Sequence, residues 1–197
     1  IFLNKYKLSK IKKDFAMSYI QDALGIFTSL LILRTDSELK KLSNIMNKKL
    51  KNLNFLKKMP ENLSLLDFLK KKNSHLSLLD FRDKIIDMHY KSIKPLLNKY
   101  KYIFCYCRSK YSESTIHFLK NYNIEVHGII DDNDKFKNSN FLNFKTLNSK
   151  TFISKYQKIL NDSAVIISHQ RISTSNKIIK GLKLSGLGRG QIKVIKF

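Results

Sequence analysis

The sequence is poor in the residues that build metal sites and disulfide frameworks. It has two cysteines and five histidines in 197 residues. Cys105 and Cys107 are two positions apart in a strand-like run, and no second pair completes a tetrahedral site. The histidines are scattered, without metal-ligand spacing, and no Ser/His/Asp arrangement stands out. We therefore predict two reduced thiols, no metal, no cofactor and no enzyme activity.

Long apolar runs are also missing. The longest, from Ala23 to Leu33, is too short to cross a bilayer. Asp14 and Asp22, and the absence of a small-residue cleavage site, oppose a signal peptide. We expect a soluble protein without a membrane partner.

Acidic residues are scarce where basic ones are dense. The formal net charge is +23, and no carboxylate occurs after Asp162. Tryptophan is absent and alanine is rare, while Lys, Asn, Ile, Phe and Tyr abound, a composition typical of an AT-rich genome that explains part of the lysine excess. The remaining imbalance favours a polyanionic partner such as nucleic acid.

The first 77 residues are predicted to be helical and basic. Two similar segments, Leu63 to Phe68 and Leu76 to Phe81, each place Ser three residues before Asp, which predicts two helix starts. A helix with an apolar stripe at Ile86, Tyr90, Ile93 and Leu97 should follow, and Pro95 should end or kink it near Lys94. We then expect a strand at 102–107, a helix starting at Ser109 or Ser112, a strand at 124–130, a hairpin connection at 135–150, and a strand or short helix at 151–159.

The C-terminal region carries the richest functional pattern. An apolar strand at 164–167 precedes a hydroxyl-rich loop at 168–175, a basic helix at 176–184, a glycine turn at 186–190 and a final strand. Hydroxyls and backbone N–H groups donate to phosphate oxygens, and glycine lets the main chain approach closely. The pattern predicts contact with a phosphate backbone.

Two other function classes remain open. The strand–helix–strand at 102–130, with acidic residues at its end, is typical of a nucleotide-binding fold, but the turn from Cys107 to Lys110 has no glycine to hold a pyrophosphate. The alternative is therefore a degenerate Rossmann-like domain. The third possibility is a helical adaptor in which residues 1–77 are the functional part.

From about Asp83 onward the chain resembles the eighth small-subunit ribosomal protein, the S-eight family. The resemblance lies in the helix from Ile85 to Ile93, the Ser109-Lys110 pair opening the next helix, and the acidic end of the strand from Ile124 to Asp132. It also lies in the C-terminal order of strand, Ser-Thr-Ser loop, helix, glycine turn and strand. The glycine pair of the family is split here by Arg189.

The resemblance implies an α+β protein in three parts. These are a helical extension at 1–77, a helix with a small sheet at 78–147, and a mostly β part at 148–197 that carries the RNA-binding loop. It implies a structural component of the small ribosomal subunit, without catalytic activity or a small-molecule substrate, that binds the central domain of small-subunit RNA beside neighbouring ribosomal proteins. The expected location is a mitochondrial ribosome, or else a plastid-type organelle or an AT-rich bacterium.

The predicted RNA-binding residues fall in three groups: the second helix start, the hydroxyl loop, and the basic helix with its glycine turn. They are Ser109, Lys110, Ser168, His169, Arg171, Ser173, Thr174, Ser175, Asn176, Lys177, Lys180, Lys183, Gly188, Arg189 and Gly190.

Overall fold

A computed structural model describes residues 22–23, 25–50, 77–169 and 172–195, with the side chains of 47–50 and 172 left out. The chain divides into two compact units, Ile1–Ile85 and Ile86–Phe197. The predicted α+β class is confirmed, since helices accompany a six-stranded mixed sheet. Every strand in the described part follows Lys101. Among the described residues, no helix combines the length and the apolar character needed to cross a membrane.

The first unit is helical in its described part. Residues 25–32 form a helix, α1 spans Asp36–Leu50, and α2, which spans Leu78–Lys99, begins in this unit. Arg82 of α2 forms an ion pair with Asp36 at 2.8 Å and donates a hydrogen bond to the carbonyl of Arg34. Ser43 accepts a hydrogen bond from the backbone N–H of Leu78 at 2.9 Å. These contacts fix the start of α2 against α1.

The helix start predicted at Ser77 is confirmed. The Ser77 hydroxyl accepts from the backbone N–H of Asp80 at 3.1 Å, and α2 begins at Leu78. The matching start at 63–68 lies outside the described residues. Of the two outcomes predicted for Pro95, the helix does not end there, because it continues to Lys99 with Pro95 inside it.

The buried stripe of α2 also differs from the predicted one. Of the four predicted residues only Ile93 is fully buried, and Ile86, Tyr90 and Leu97 are half-buried at its margin. The buried stripe is formed by Leu78, Phe81, Ile85, His89, Ile93, Leu96 and Tyr100. His89 occupies a core position in that series, which a search for apolar residues alone overlooks.

The second unit is built around the sheet. Its remaining elements are β1 Tyr102–Tyr106, α3 Lys110–Asn121, β2 Val126–Ile130, β3 Asn140–Phe141, β4 Phe144–Leu147, α4 Ser149–Tyr156, β5 Ser163–Ser168, α5 Ile172–Leu184 and β6 Ile192–Ile195. Short 3₁₀ helices occupy Asp134–Phe136, Gln157–Asp162 and Arg189–Gln191. The strand order is β3-β4-β2-β1-β5-β6. All neighbouring pairs are parallel except the β3–β4 hairpin.

The local predictions for this unit are largely confirmed. β1, β2 and β5 form where predicted, Ser109 is the N-cap of α3, and a hairpin lies within 135–150. Between the two structures left open for 151–159, the chain adopts the helix. Leu119 of α3 is buried, whereas Tyr122, just after the helix, is exposed.

The two faces of the sheet are covered by different helices. Alternation along a strand sends neighbouring side chains to opposite faces. Val165 and Ile167 of β5 share one core cluster with Phe152 of α4 and Leu182 of α5. Ser168, the next residue, instead contacts Thr115 of α3. Thus α4 and α5 lie on one face, and α3 lies on the other.

Candidate functional site

The centre of the sheet has the topology that creates a ligand crevice in open α/β folds. β1 and β5 are parallel neighbours, and the chain leaves them in opposite directions. From β1 it passes through α3 to β2, and from β5 it passes through α5 to β6 on the other face. The two connections diverge at the carboxyl ends of β1 and β5, which defines a topological switch point.

The turn after β1 is tied to β2. Cys107 adopts a φ of 81°, in the left-handed region that favours glycine. Its backbone N–H donates to the carbonyl of Ile130 at 2.9 Å, and the N–H of Arg108 donates to the Asp131 carboxylate at 2.7 Å. Ser109 then caps α3 by accepting from the N–H of Ser112. The chain therefore makes a sharp turn from β1 into α3 with a cysteine, not a glycine, in the left-handed region.

Arg108 lies over the loop that follows β2. Its guanidinium carbon is 4.8 Å from the ring centre of Phe136 and 5.4 Å from that of Phe141. One guanidinium nitrogen also donates to the hydroxyl of Ser139. The stacked, hydrogen-bonded guanidinium therefore ties the turn after β1 to the segment that follows β2.

Asp132 joins three elements at the carboxyl edge of the sheet. One carboxylate oxygen accepts from the Ser149 N–H at 2.6 Å, and the other accepts from the Ser149 hydroxyl at 2.7 Å and the Tyr106 hydroxyl at 2.5 Å. Burial acts to raise the pKa of Asp132, but these hydrogen bonds outweigh it and hold the pKa below its ordinary value. Burial and the bond to Asp132 raise the pKa of Tyr106. The carboxylate is therefore charged at neutral pH and occupied by protein donors.

The segment after β5 corrects the predicted loop at 168–175. Ser168 belongs to β5, is fully buried, and shares a 2.7 Å hydrogen bond with the Thr115 hydroxyl. α5 already begins at Ile172, so Ser173, Thr174 and Ser175 lie in its first turn. Hydroxyl residues suit that position because they can satisfy free backbone N–H groups there. Ser175 is buried, and Ser173 is exposed.

The other predicted contacts are dispersed. His169 is half-buried and its N–H donates to the carbonyl of Ile195, while Arg171 lies outside the described residues. Lys110 forms an ion pair with Glu113 at 2.6 Å. The exposed members of the set on or after α5 are Ser173, Asn176, Lys177, Lys180, Lys183, Gly188, Arg189 and Gly190. Lys183 and the glycine turn lie at the far end of α5, away from the carboxyl edge of the sheet. The predicted RNA-binding residues therefore do not form one compact site.

The cysteines are poor nucleophiles. Burial raises the pKa of Cys105 to about 12, and burial with the nearby Asp131 and Asp132 raises that of Cys107 to about 12. Both thiols stay protonated at neutral pH, and the thiolate is the reactive form. Within the described ranges, no group of three His, Cys, Asp or Glu residues is arranged to hold a metal ion.

Sequence reasoning missed Arg108, Asp132 and Ser149 at the carboxyl edge, and it missed Gln191 at the opposite edge, just before β6. Gln191 donates to the carbonyls of Leu160 and Ser163 at 2.6 and 2.8 Å. Its side-chain oxygen accepts from the N–H of Gly188 at 2.7 Å. The acidic residues directly after β2 were a usable signal for Asp132, whereas Gln191 has no local signature.

No protein-family model matches the chain, and no curated protein matches it. Among solved structures, the chain is similar to one described as the crystal structure of RSP, a Rex-family repressor, with 11% sequence identity and a TM-score of 0.35. The similarity covers 81% of this chain and 85% of that one. At that TM-score the similarity carries no argument about fold or function.

Proposed function

We propose that residues 86–195 are a binding domain for a small phosphate-bearing ligand, held at the carboxyl ends of β1 and β5. The observation that carries the proposal is the parallel strand order β4-β2-β1-β5-β6. When only the parallel strands are numbered in chain order, their spatial order is 3-2-1-4-5. This is the doubly wound arrangement, in which ligands bind at the switch point. The turn at Cys107 and the cap of α3 at Ser109 support it.

The helix N-termini at the carboxyl ends of β1 and β5 favour an anionic group on the ligand. α3 and α5 begin at this edge, and helix N-termini attract anions through their free N–H groups and dipoles. The exposed Ser173 adds a hydroxyl donor in the first turn of α5, and no carboxylate follows Asp162 in the sequence.

The acidic residues after β2 limit what the ligand can be. Asp131 accepts from the N–H groups of Arg108 and Asn133, and Asp132 accepts from Tyr106 and Ser149. Their carboxylates are therefore engaged, although dinucleotide-binding folds use a carboxylate here for ribose hydroxyls. We expect a mononucleotide or another phosphorylated small molecule rather than a dinucleotide.

The test is calorimetric titration of the full chain with AMP, ATP, UDP, NADH and inorganic phosphate. We expect a phosphate compound to bind the wild type and to bind Ser173→Glu at least tenfold more weakly, because the new carboxylate repels phosphate. Ser154→Glu adds the same charge at an exposed position of α4 and should leave binding unchanged. Absence of binding by every compound, or equal loss in both variants, contradicts the proposal.

The second candidate is the ribosomal function, favoured by the charge distribution. Residues 135–197 hold 13 Lys or Arg and one acid, Asp162. In this proposal the protein is a structural component of the small subunit of a mitochondrial ribosome, contacts its RNA and neighbouring proteins, and performs no catalysis. Cosedimentation of the tagged native protein with small subunits supports it, and sedimentation only as free protein contradicts it.

A further inference from the structure

The tertiary structure collects lysines that are far apart in the sequence. α4 and α5 pack on the same face of the sheet, because Phe152 and Leu182 share one core cluster. The sides of these helices that point away from the sheet, with the 3₁₀ helix Gln157–Asp162, form what we call the α4–α5 face. Its exposed lysines are Lys150, Lys155, Lys158, Lys177, Lys180 and Lys183.

The positive charge of this face is not balanced by neighbouring acids. None of the ion pairs recorded for the described residues involves these lysines. Asp162 is the one acidic residue between 149 and 195. Elsewhere in the described part some lysines are paired with carboxylates, as Lys91 is with Asp87 and Lys110 with Glu113. The α4–α5 face therefore presents six exposed lysines without a paired carboxylate.

The residues between the lysines fit a phosphate backbone. Exposed hydrogen-bonding side chains stand among them, at Thr151, Ser154, Gln157, Asn161 and Asn176. Ser154 and Gln157 also line an open recess with Lys150 and Ser185. Hydroxyl, amide and ammonium groups are the side-chain donors that contact nucleic-acid phosphates.

A lipid surface fits this face less well. Binding in a membrane interface takes a large apolar face opposite the basic one. Leu184 is 80% exposed, and it is the one large apolar residue strongly exposed on the described part of this face. The chemistry therefore selects a polyanion that needs charge and hydrogen bonds alone.

We propose that the α4–α5 face is a nucleic-acid-binding surface that contacts the phosphate backbone independently of base sequence. It is separate from the crevice at the carboxyl ends of β1 and β5, so either can exist without the other. If the ribosomal proposal holds, this face is where the chain contacts RNA. Lys150, Lys155 and Lys158 then join the lysines of α5 in one surface.

The test compares charge-neutralising variants of the full chain. One variant replaces Lys177, Lys180 and Lys183 with Gln, and a second replaces Lys150, Lys155 and Lys158 with Gln. The matched control replaces the exposed Lys94, Lys99 and Lys101 with Gln, so that all three variants lose the same net charge. Fluorescence anisotropy measures the affinity for labelled 20-base-pair duplex RNA and 20-nucleotide poly(U) between 50 and 200 mM salt, and circular dichroism checks that each variant is folded.

We expect each variant of the α4–α5 face to weaken binding at least tenfold at low salt and to reduce the log–log salt slope by about 2 to 3, since each phosphate contact contributes about 0.7 to 0.9. The control should reduce the slope by less than about 1. The inference is overturned if the control weakens binding as much as the face variants, if neither face variant changes the slope, or if the wild type binds neither RNA. The Ser173→Glu titration above addresses the crevice alone, so the two results are distinguishable.

Discussion

Replacing Asp132 with Asn is the sharpest test of how the carboxyl edge is held together. The carboxylate accepts three hydrogen bonds, from the Ser149 N–H, the Ser149 hydroxyl and the Tyr106 hydroxyl. Asn retains one acceptor oxygen and turns an NH₂ group toward the remaining donors. The change therefore removes at least one bond to a charged acceptor and leaves a donor without a partner.

The expected loss follows from these contacts. A hydrogen bond to a charged group contributes about 1.5 to 3 kcal/mol. Asp132 is exposed on one side, so solvent screening lowers that value. We expect Asp132→Asn to reduce the free energy of unfolding by about 2 kcal/mol at pH 7, equivalent to roughly 6–10 °C in Tm for a unit of this size.

The effect has a defined pH dependence. The folded-state pKa of Asp132 lies below its ordinary value, so its contribution is fully present above about pH 5 and is lost as the pH falls through the unfolded and then the folded pKa. Chemical denaturation at pH 7, 5, 4 and 3 should give a difference between wild type and Asp132→Asn that is constant down to about pH 5 and then shrinks. Asp134→Asn, an exposed neighbour, should differ from wild type by less than about 0.5 kcal/mol. Equal stability of Asp132→Asn and wild type at pH 7, or a difference that persists undiminished at pH 3, refutes the reasoning.

Two further stability predictions follow from buried hydrogen bonds. Gln191→Ala removes a hydrogen-bond partner from three backbone groups, so it should lower the free energy of unfolding in urea by about 3 kcal/mol. The control Gln157→Ala, at an exposed position, should lower it by under about 0.5 kcal/mol. Similar losses in both variants would show that the Gln191 contacts contribute little. Thr115→Val and Ser168→Ala should each lower the free energy of unfolding by about 1 to 3 kcal/mol, because each leaves the other buried hydroxyl unpaired. The double variant removes both hydroxyls, so its loss should be clearly less than the sum of the two single losses. Additive losses in that cycle would exclude the coupling.

The same hydroxyl pair illustrates why the sequence misplaced part of the candidate site. Ser168 was expected on an RNA-binding loop because hydroxyl residues follow an apolar strand. In the fold, Ser168 points to the α3 face and bonds Thr115, which is 53 positions away in the sequence. The local sequence around Ser168 does not encode that partner. A serine whose hydroxyl is buried and a serine whose hydroxyl is a surface donor therefore look the same in the sequence.

What the sequence determined by itself is local. Ser77 and Ser109 predicted helix starts because capping needs only a hydroxyl and an N–H three residues on. The apolar runs at 102–107 and 164–167 predicted strands, and the structure has strands at Tyr102–Tyr106 and Ser163–Ser168. Continuous apolar runs suit parallel strands that are covered on both faces. The excess of basic residues is likewise independent of the fold.

The tertiary structure alone decided which distant segments of the chain lie next to each other. Strand order, the divergence of the chain at β1 and β5, and the gathering of lysines from α4 and α5 depend on contacts between distant segments. The turn at Cys107 shows the limit most clearly. The turn after β1 has no glycine in the sequence to signal a left-handed residue, yet Cys107 adopts that conformation beside the hydrogen bonds to Ile130 and Asp131. Backbone preferences are about 1 kcal/mol and local, and the contacts of a packed sheet edge outweigh them.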